Sequence, residues 1–220
     1  MYAMKLNAYV AGLLVLIGLV SGCVPTSETA SVPVPEIMSK DSVTVANKTR
    51  VEVHSGMTLG QAALAGFTKF KNTGGVYGAM YVSRDGSSFS WRSRRYSVED
   101  AMVAAQTDCE AFYRTDCELY ATLVPAAPRE GQFYLRDQSR DNWERAVRET
   151  RAGNLIAIAA NKTGASGFAW DFSSAEEARA AAIRTCVKNA AALPKDGTAR
   201  VVAANEAAGV YQCRIIGVFR

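Results

Sequence analysis

The residues of this 220-residue chain with chemical potential are two acidic pairs, five cysteines, one histidine and a cluster of arginines. Glu99-Asp100 and Glu176-Glu177 have the composition of acid–base pairs. Each stands two and three residues after a serine, Ser97 or Ser174, at the start of an Ala-rich helical run. There the serine oxygen accepts from the third helical N–H while the acid at that position reaches back, a capping box. Negative charge at a helix start contributes about 0.3–1 kcal/mol. Capping explains both pairs at once, so no catalytic residue is assigned. Metal binding requires clustered His, Cys or carboxylate ligands; the lone His54 falls in a linker, and no metal ligand is assigned. For the same reason cysteine and serine nucleophiles lack a partner base. Lys162-Thr-Gly-Ala-Ser-Gly167 lacks the Gly-Lys-Ser/Thr ending of a phosphate loop and reads as a hairpin turn.

One stretch has binding character. In Trp91-Arg92-Ser93-Arg94-Arg95-Tyr96, three arginines stand between two aromatics. Planar guanidinium forks and stacking faces suit phosphate, carboxylate or an anionic glycan. Trp91, Arg92, Arg94, Arg95 and Tyr96 are therefore the candidate binding patch. The competing reading is a solvated strand end with its aromatics turned inward.

The elements that position these residues begin after an N-terminal leader. Lys5 gives a positive start, and Ala8 to Val20 is an apolar run of 13 residues. That is short of the roughly 20 needed to span a bilayer and matches the core of a signal peptide. The run ends in Val20-Ser21-Gly22-Cys23, which resembles the lipobox of bacterial lipoproteins. The resemblance implies cleavage before Cys23, a thioether-linked diacylglycerol on it and an N-acyl chain, with no other cofactor. Two or more chains hold a protein stably on a bilayer. Val24 rather than Asp after the cysteine resembles sorting to the outer membrane, facing the periplasm.

Lys5 is the only charge in the first 22 residues, so the remaining 198 carry 24 basic and 21 acidic side chains. Net +3 is too mild for a nucleic-acid partner. Apart from Cys23, four cysteines remain: Cys109, Cys117, Cys186 and Cys213. In an oxidising compartment they form two disulfides, with three connectivities open.

The spacing then predicts a repeated unit. Phe89-Ser-Trp91 and Phe168-Ala-Trp170 each lead through a short turn to Ser97 or Ser174, a helix, and a cysteine twelve residues after the serine. Before these come helices over 58–71 and 142–151. Asp85-Gly86 between alternating apolar runs makes a hairpin, and Gly86 set on Gly164 extends the likeness to it. Strands are expected at 76–82, 88–92, 117–124, 155–160, 198–204 and 211–219, with a short one within 43–53. The repeat favours Cys109–Cys117 and Cys186–Cys213, although Cys117-Glu-Leu-Tyr-Ala aligns with either Thr198-Ala-Arg-Val-Val or Cys213-Arg-Ile-Ile-Gly.

The second copy resembles small cysteine-containing exported bacterial domains of unknown function, through Ile156-Ala-Ile-Ala, Thr163-Gly, Gly167-Phe-Ala and the Ser174 to Cys186 helix. No activity comes with that resemblance. The expected fold is α+β: two related copies of a helix, β-hairpin, helix and strand unit with antiparallel sheet, stapled by disulfides. The organisation is a signal peptide over 1–22, a flexible lipidated tether over 23–57, and units over 58–128 and 129–220 that can pack as one domain. The functional expectation is a membrane-anchored, non-enzymatic binding or scaffolding protein of the envelope, with an anionic envelope component or a protein as partner. Its rivals are an enzyme acting on an envelope polymer and a subunit of a secretion or surface complex. Function is expected at Trp91 to Tyr96 and in the insertion over 193–212.

Overall fold

The computed structural model describes residues 36–46 and 48–220. The expected signal peptide, Cys23 and the first part of the tether lie outside the described residues. Within residues 36–57, where the tether is expected, three short strands join the sheets. Ile37–Met38 (β1), Val43–Val45 (β2) and Thr49–Val53 (β3) are strands, and His54 bonds through Nε2 to Thr122 Oγ1 at 2.8 Å. The local signal was weak because each strand is short and gains its partners from residues far along the chain.

Helix α1 spans Gln61–Lys71, and β4 (Tyr77–Ser83) and β5 (Phe89–Arg95) form the first hairpin. Helix α1 starts three residues later than expected, because Gly60 N donates to Gly86 O in the hairpin turn (2.9 Å) instead of entering the helix. Helix α2 (Val98–Tyr113) and β6 (Cys117–Pro125) complete a sheet of order β3-β6-β4-β5. The period-two pattern of β4 explains its burial on both faces. Met80 and Val82 pack with Phe70 and Ala63 of α1, whereas Ala79 and Tyr81 pack with Ala101, Ala105 and Cys109 of α2.

After β7 (Phe133–Leu135), the order is α3 (Arg140–Glu149), β8 (Leu155–Ala160), β9 (Ser166–Phe172), α4 (Ala175–Ala191), α5 (Ala199–Ala207) and β10 (Arg214–Phe219). The second four-stranded sheet runs β1-β10-β8-β9, and β2 pairs with β7. The hairpins and the β3–β6, β4–β6 and β8–β10 pairs are antiparallel, while β1–β10 and β2–β7 are parallel. In β8, Ile156 and Ile158 face Trp143 and Phe219, and Leu155, Ala157 and Ala159 face Ala178, Ala182 and Cys186 of α4. All described residues belong to one compact unit.

Two further expectations change. Residues 199–204 are helical, not a strand. Thr198 caps α5 by accepting from Val201 N (3.4 Å), and the Val201-Val202 pair that reads as β lies in an Ala-rich run with high helix propensity. The overlay of Phe89-Ser-Trp91 on Phe168-Ala-Trp170 also slips by two residues. Trp91 pairs with Met80 and Phe168 pairs with Ile158; with Gly86 set on Gly164, Met80 falls on Ile158. The disulfides are Cys109–Cys117 and Cys186–Cys213, and the strand after Cys213, not 198–204, pairs with β8 as β6 pairs with β4.

Candidate binding cavity

Strand β5 carries one more residue than its partner between Arg92 and Arg95: Ala79 pairs with Arg92, and Tyr77 with Arg95. Arg94 absorbs the extra residue in the left-handed region, at φ 58°. This bulge decides the site. In a regular strand, residues three apart face opposite sides. With the extra residue, Arg92 and Arg95 stand opposite Ala79 and Tyr77, two residues apart on β4, and so share the face covered by α2.

Both arginines line a cavity of about 490 Å³. Helix α2 contributes Ala104, the end of α4 Val187, Ala190 and Ala191, and the connection to α5 Leu193, Pro194, Lys195 and Asp196. Asn205 of α5, then Val210 and Tyr211, close the wall. A second cavity of about 270 Å³ shares Arg92 and Asp196 with the first and adds Asp108, Phe112 and Tyr113. Phe112 is 52% exposed at its rim. Helix α5 is held to α2 by Arg200, which donates to the Ala111 and Phe112 carbonyls at the α2 C-terminus.

The charges in this region are not equally committed. Buried Asp108 accepts from Arg92 Nε and, through its other oxygen, from Asn205 Nδ2 at 2.8 Å. Lys195 pairs with Glu206 at 2.6 Å and lies over the Tyr211 ring. Arg95 is only 9% exposed and has no carboxylate at ion-pair distance among the described residues. Its Nη1 donates to Ser93 O at 2.7 Å, while Nε is buried without a partner, as is Asn205 Oδ1. Burial, then the neighbouring Arg92 and Arg136, brings the Arg95 guanidinium down to about 10, so it remains charged at neutral pH.

The rest of the expected patch is dispersed. Trp91 lies on the opposite face of the sheet, 6.1 Å from the Phe70 ring. Arg94 is exposed and donates to Thr73 O at 3.2 Å. Tyr96 is buried against the second sheet, with its hydroxyl 2.7 Å from Ser139 Oγ and Arg136 over its ring. The inward-facing alternative therefore describes the aromatics, and only Arg92 and Arg95 reach the cavity.

Both serine caps are present: Ser97 Oγ accepts from Asp100 N at 3.1 Å and Ser174 Oγ from Glu177 N at 3.4 Å. Asp100, however, is buried and pairs with Arg214 of β10 at 2.6 Å. Burial raises its carboxyl above the ordinary 3.8, opposed by Arg214 and Lys162. The hairpin turn lies at 161–165, where Asn161 Oδ1 accepts from Thr163 N (3.1 Å) and Ala165 N (2.9 Å), and Ser166 and Gly167 already belong to β9. Among the described residues there is no group of three His, Cys, Asp or Glu side chains arranged to hold a metal ion.

Asp108 and Asn205 carry no local sequence signal as site residues. The signal for Asn205 was its position four residues after Val201 on one helical face, hidden while 198–204 read as a strand. No family model, curated protein or solved structure matches the chain.

Proposed function

We propose that this chain is a bacterial lipoprotein, held by acyl chains on Cys23 at the outer membrane and facing the periplasm. In this reading its folded part is two copies of one α+β unit and binds an anionic envelope component without catalysing a reaction. Two disulfides fit an oxidising compartment. The duplication is supported by the matching antiparallel order β6-β4-β5 and β10-β8-β9 and by a second bulge. In β9, Asp171 takes φ 66° between the Ile156–Trp170 and Leu155–Phe172 pairs, where Arg94 stands in β5.

The observation that carries the binding reading is Arg95, a buried cation with no carboxylate at ion-pair distance among the described residues, in the wall of a cavity of pocket size. A buried charge is costly unless paired, and an anion entering the cavity supplies the pair. Two measurements test the reading. Cys23→Ser should move the protein from membrane to soluble fractions and abolish acyl labelling; normal fractionation would overturn the anchor. Calorimetric titration of the full chain in zwitterionic nanodiscs with acetate, glutarate, phosphate and hexanoate should give saturable binding for at least one anion. That binding should be lost in Arg95→Met and kept in Arg148→Met, at an exposed position of α3. If no anion saturates, the binding role falls.

A further inference from the structure

Resting on that reading, we infer that the cavity takes a monoanionic carboxylate with an unbranched or compact apolar body, its head on Arg95 and its body along the end of α4. Three observations select this class.

The first is the edge that Arg95 leaves free. Nη1 is occupied by the Ser93 carbonyl. The remaining Nε–Nη2 edge carries two parallel N–H vectors, the spacing that meets both oxygens of a carboxylate. Nε on that edge is buried and has no partner among the described residues, so Nη2 is the first N–H that an entering carboxylate meets.

The second is the charge balance. Asp108 holds Arg92 and Glu206 holds Lys195, whereas Arg95 makes no ion pair among the described residues and feels Asp108 and Asp100 only at longer range. Asp196 lines the same cavity and makes no ion pair among the described residues. One negative charge is matched by Arg95; a second would face Asp196. A dianion such as phosphate or a dicarboxylate is therefore disfavoured.

The third is the lining. Ala104, Val187, Ala190, Ala191, Leu193 and Val210 give the body apolar contact. Each methylene taken out of water there tightens binding about fourfold, the equivalent of about 0.8 kcal/mol. The exposed Val187 and Leu193 lie at the open side, where a longer body continues the same contact.

The test uses the full chain in zwitterionic nanodiscs, with matched empty discs subtracted, and hexanoate as the probe. Hexanoate should bind at least about tenfold more tightly than acetate, hexanol, phosphate and glutarate. Arg95→Met should remove the preference over hexanol, and Ala190→Trp, which fills the cavity without changing charge, should abolish binding. Arg148→Met, at an exposed position of α3, should bind like the native chain. Tighter binding of phosphate or glutarate overturns the carboxylate class while leaving an anion-binding protein. Equal binding of hexanol and hexanoate overturns the role of Arg95. Absence of any saturable anion overturns this inference and the reading beneath it together. If Arg95→Met loses its far-UV circular dichroism, Ala190→Trp decides alone, and unchanged hexanoate affinity in that variant sinks the site.

Discussion

Asp108 shows how a single side chain joins distant parts of the chain. Its two oxygens are divided between Arg92 on β5 and Asn205 on α5, 97 residues away. Asp108→Asn places an amide donor against existing donors, so the buried contact is broken from one side. Such one-sided losses cost more than the intact pair contributes. The variant should lose about 2 kcal/mol or more in urea denaturation; a loss under about 1 kcal/mol would show that solvent replaces the pairing. Asp85, in the first hairpin turn, makes a complementary case at the surface. It accepts from Ser83 Oγ at 2.5 Å, and from Ser87 N and Ser87 Oγ, which together hold its carboxyl down to about 2. Because the folded value lies below the unfolded one, this turn gains stability above pH 3.8 and loses it as the pH falls toward 2. Carboxyl NMR titration should place the Asp85 midpoint near 2, and Ser83→Ala should move it upward. A midpoint at the ordinary 3.8 would refute the turn geometry.

Helix α4 and strand β9 touch backbone to backbone, and a glycine makes this contact feasible. A Cβ on Gly167 would overlap the Cys186 amide and the Ala182 carbonyl. Both are main-chain atoms within one helix, so neither moves without shifting the helix, and Ala157, Ala159, Ala178 and Ala182 pack in the same layer. Gly167→Ala should therefore destabilise by about 3 kcal/mol, the upper range for overpacking. Gly56→Ala, which meets open space, should stay within about 0.5 kcal/mol. Equal midpoints for the two variants in chemical denaturation would refute the close contact. The small residues in β8, β9 and α4 are legible as packing residues from the sequence, but the helix α5 is not. Its Val201-Val202 pair favours a strand locally, and burial of Val201 and Asn205 against the rest of the fold overrides that preference.

Across the whole molecule, the disulfides constrain loops of different size. Cys109–Cys117 spans 8 residues and Cys186–Cys213 spans 27. Chain entropy gives about 2.6 and 3.6 kcal/mol respectively. The larger value belongs to the bridge that also closes the segment containing α5 and the Leu193–Asp196 wall. Cys186→Ala/Cys213→Ala should therefore lower stability about 1 kcal/mol more than Cys109→Ala/Cys117→Ala, measured under one set of denaturant conditions. The reverse order would show that the smaller loop, which joins α2 to β6 beside the buried Ala101 and Ala105, carries more of the fold.

The local features were set by the sequence itself. Serine caps, the Asp-Gly hairpin, the Leu155–Ala160 strand and the helices leading to Cys109 and Cys186 follow from residues within a turn or two of one another, whose periods of 2 and 3.6 act without the rest of the chain. The three N-terminal strands, the Asp100–Arg214 pair across 114 residues and the docking of α5 needed the tertiary structure, because their partners lie far along the chain. The arginine cluster divides along the same line. Its cationic character was visible from residue types alone, whereas the choice of Arg92 and Arg95 over Arg94 was made by one left-handed residue in β5, which turns two arginines to the same face and the third away.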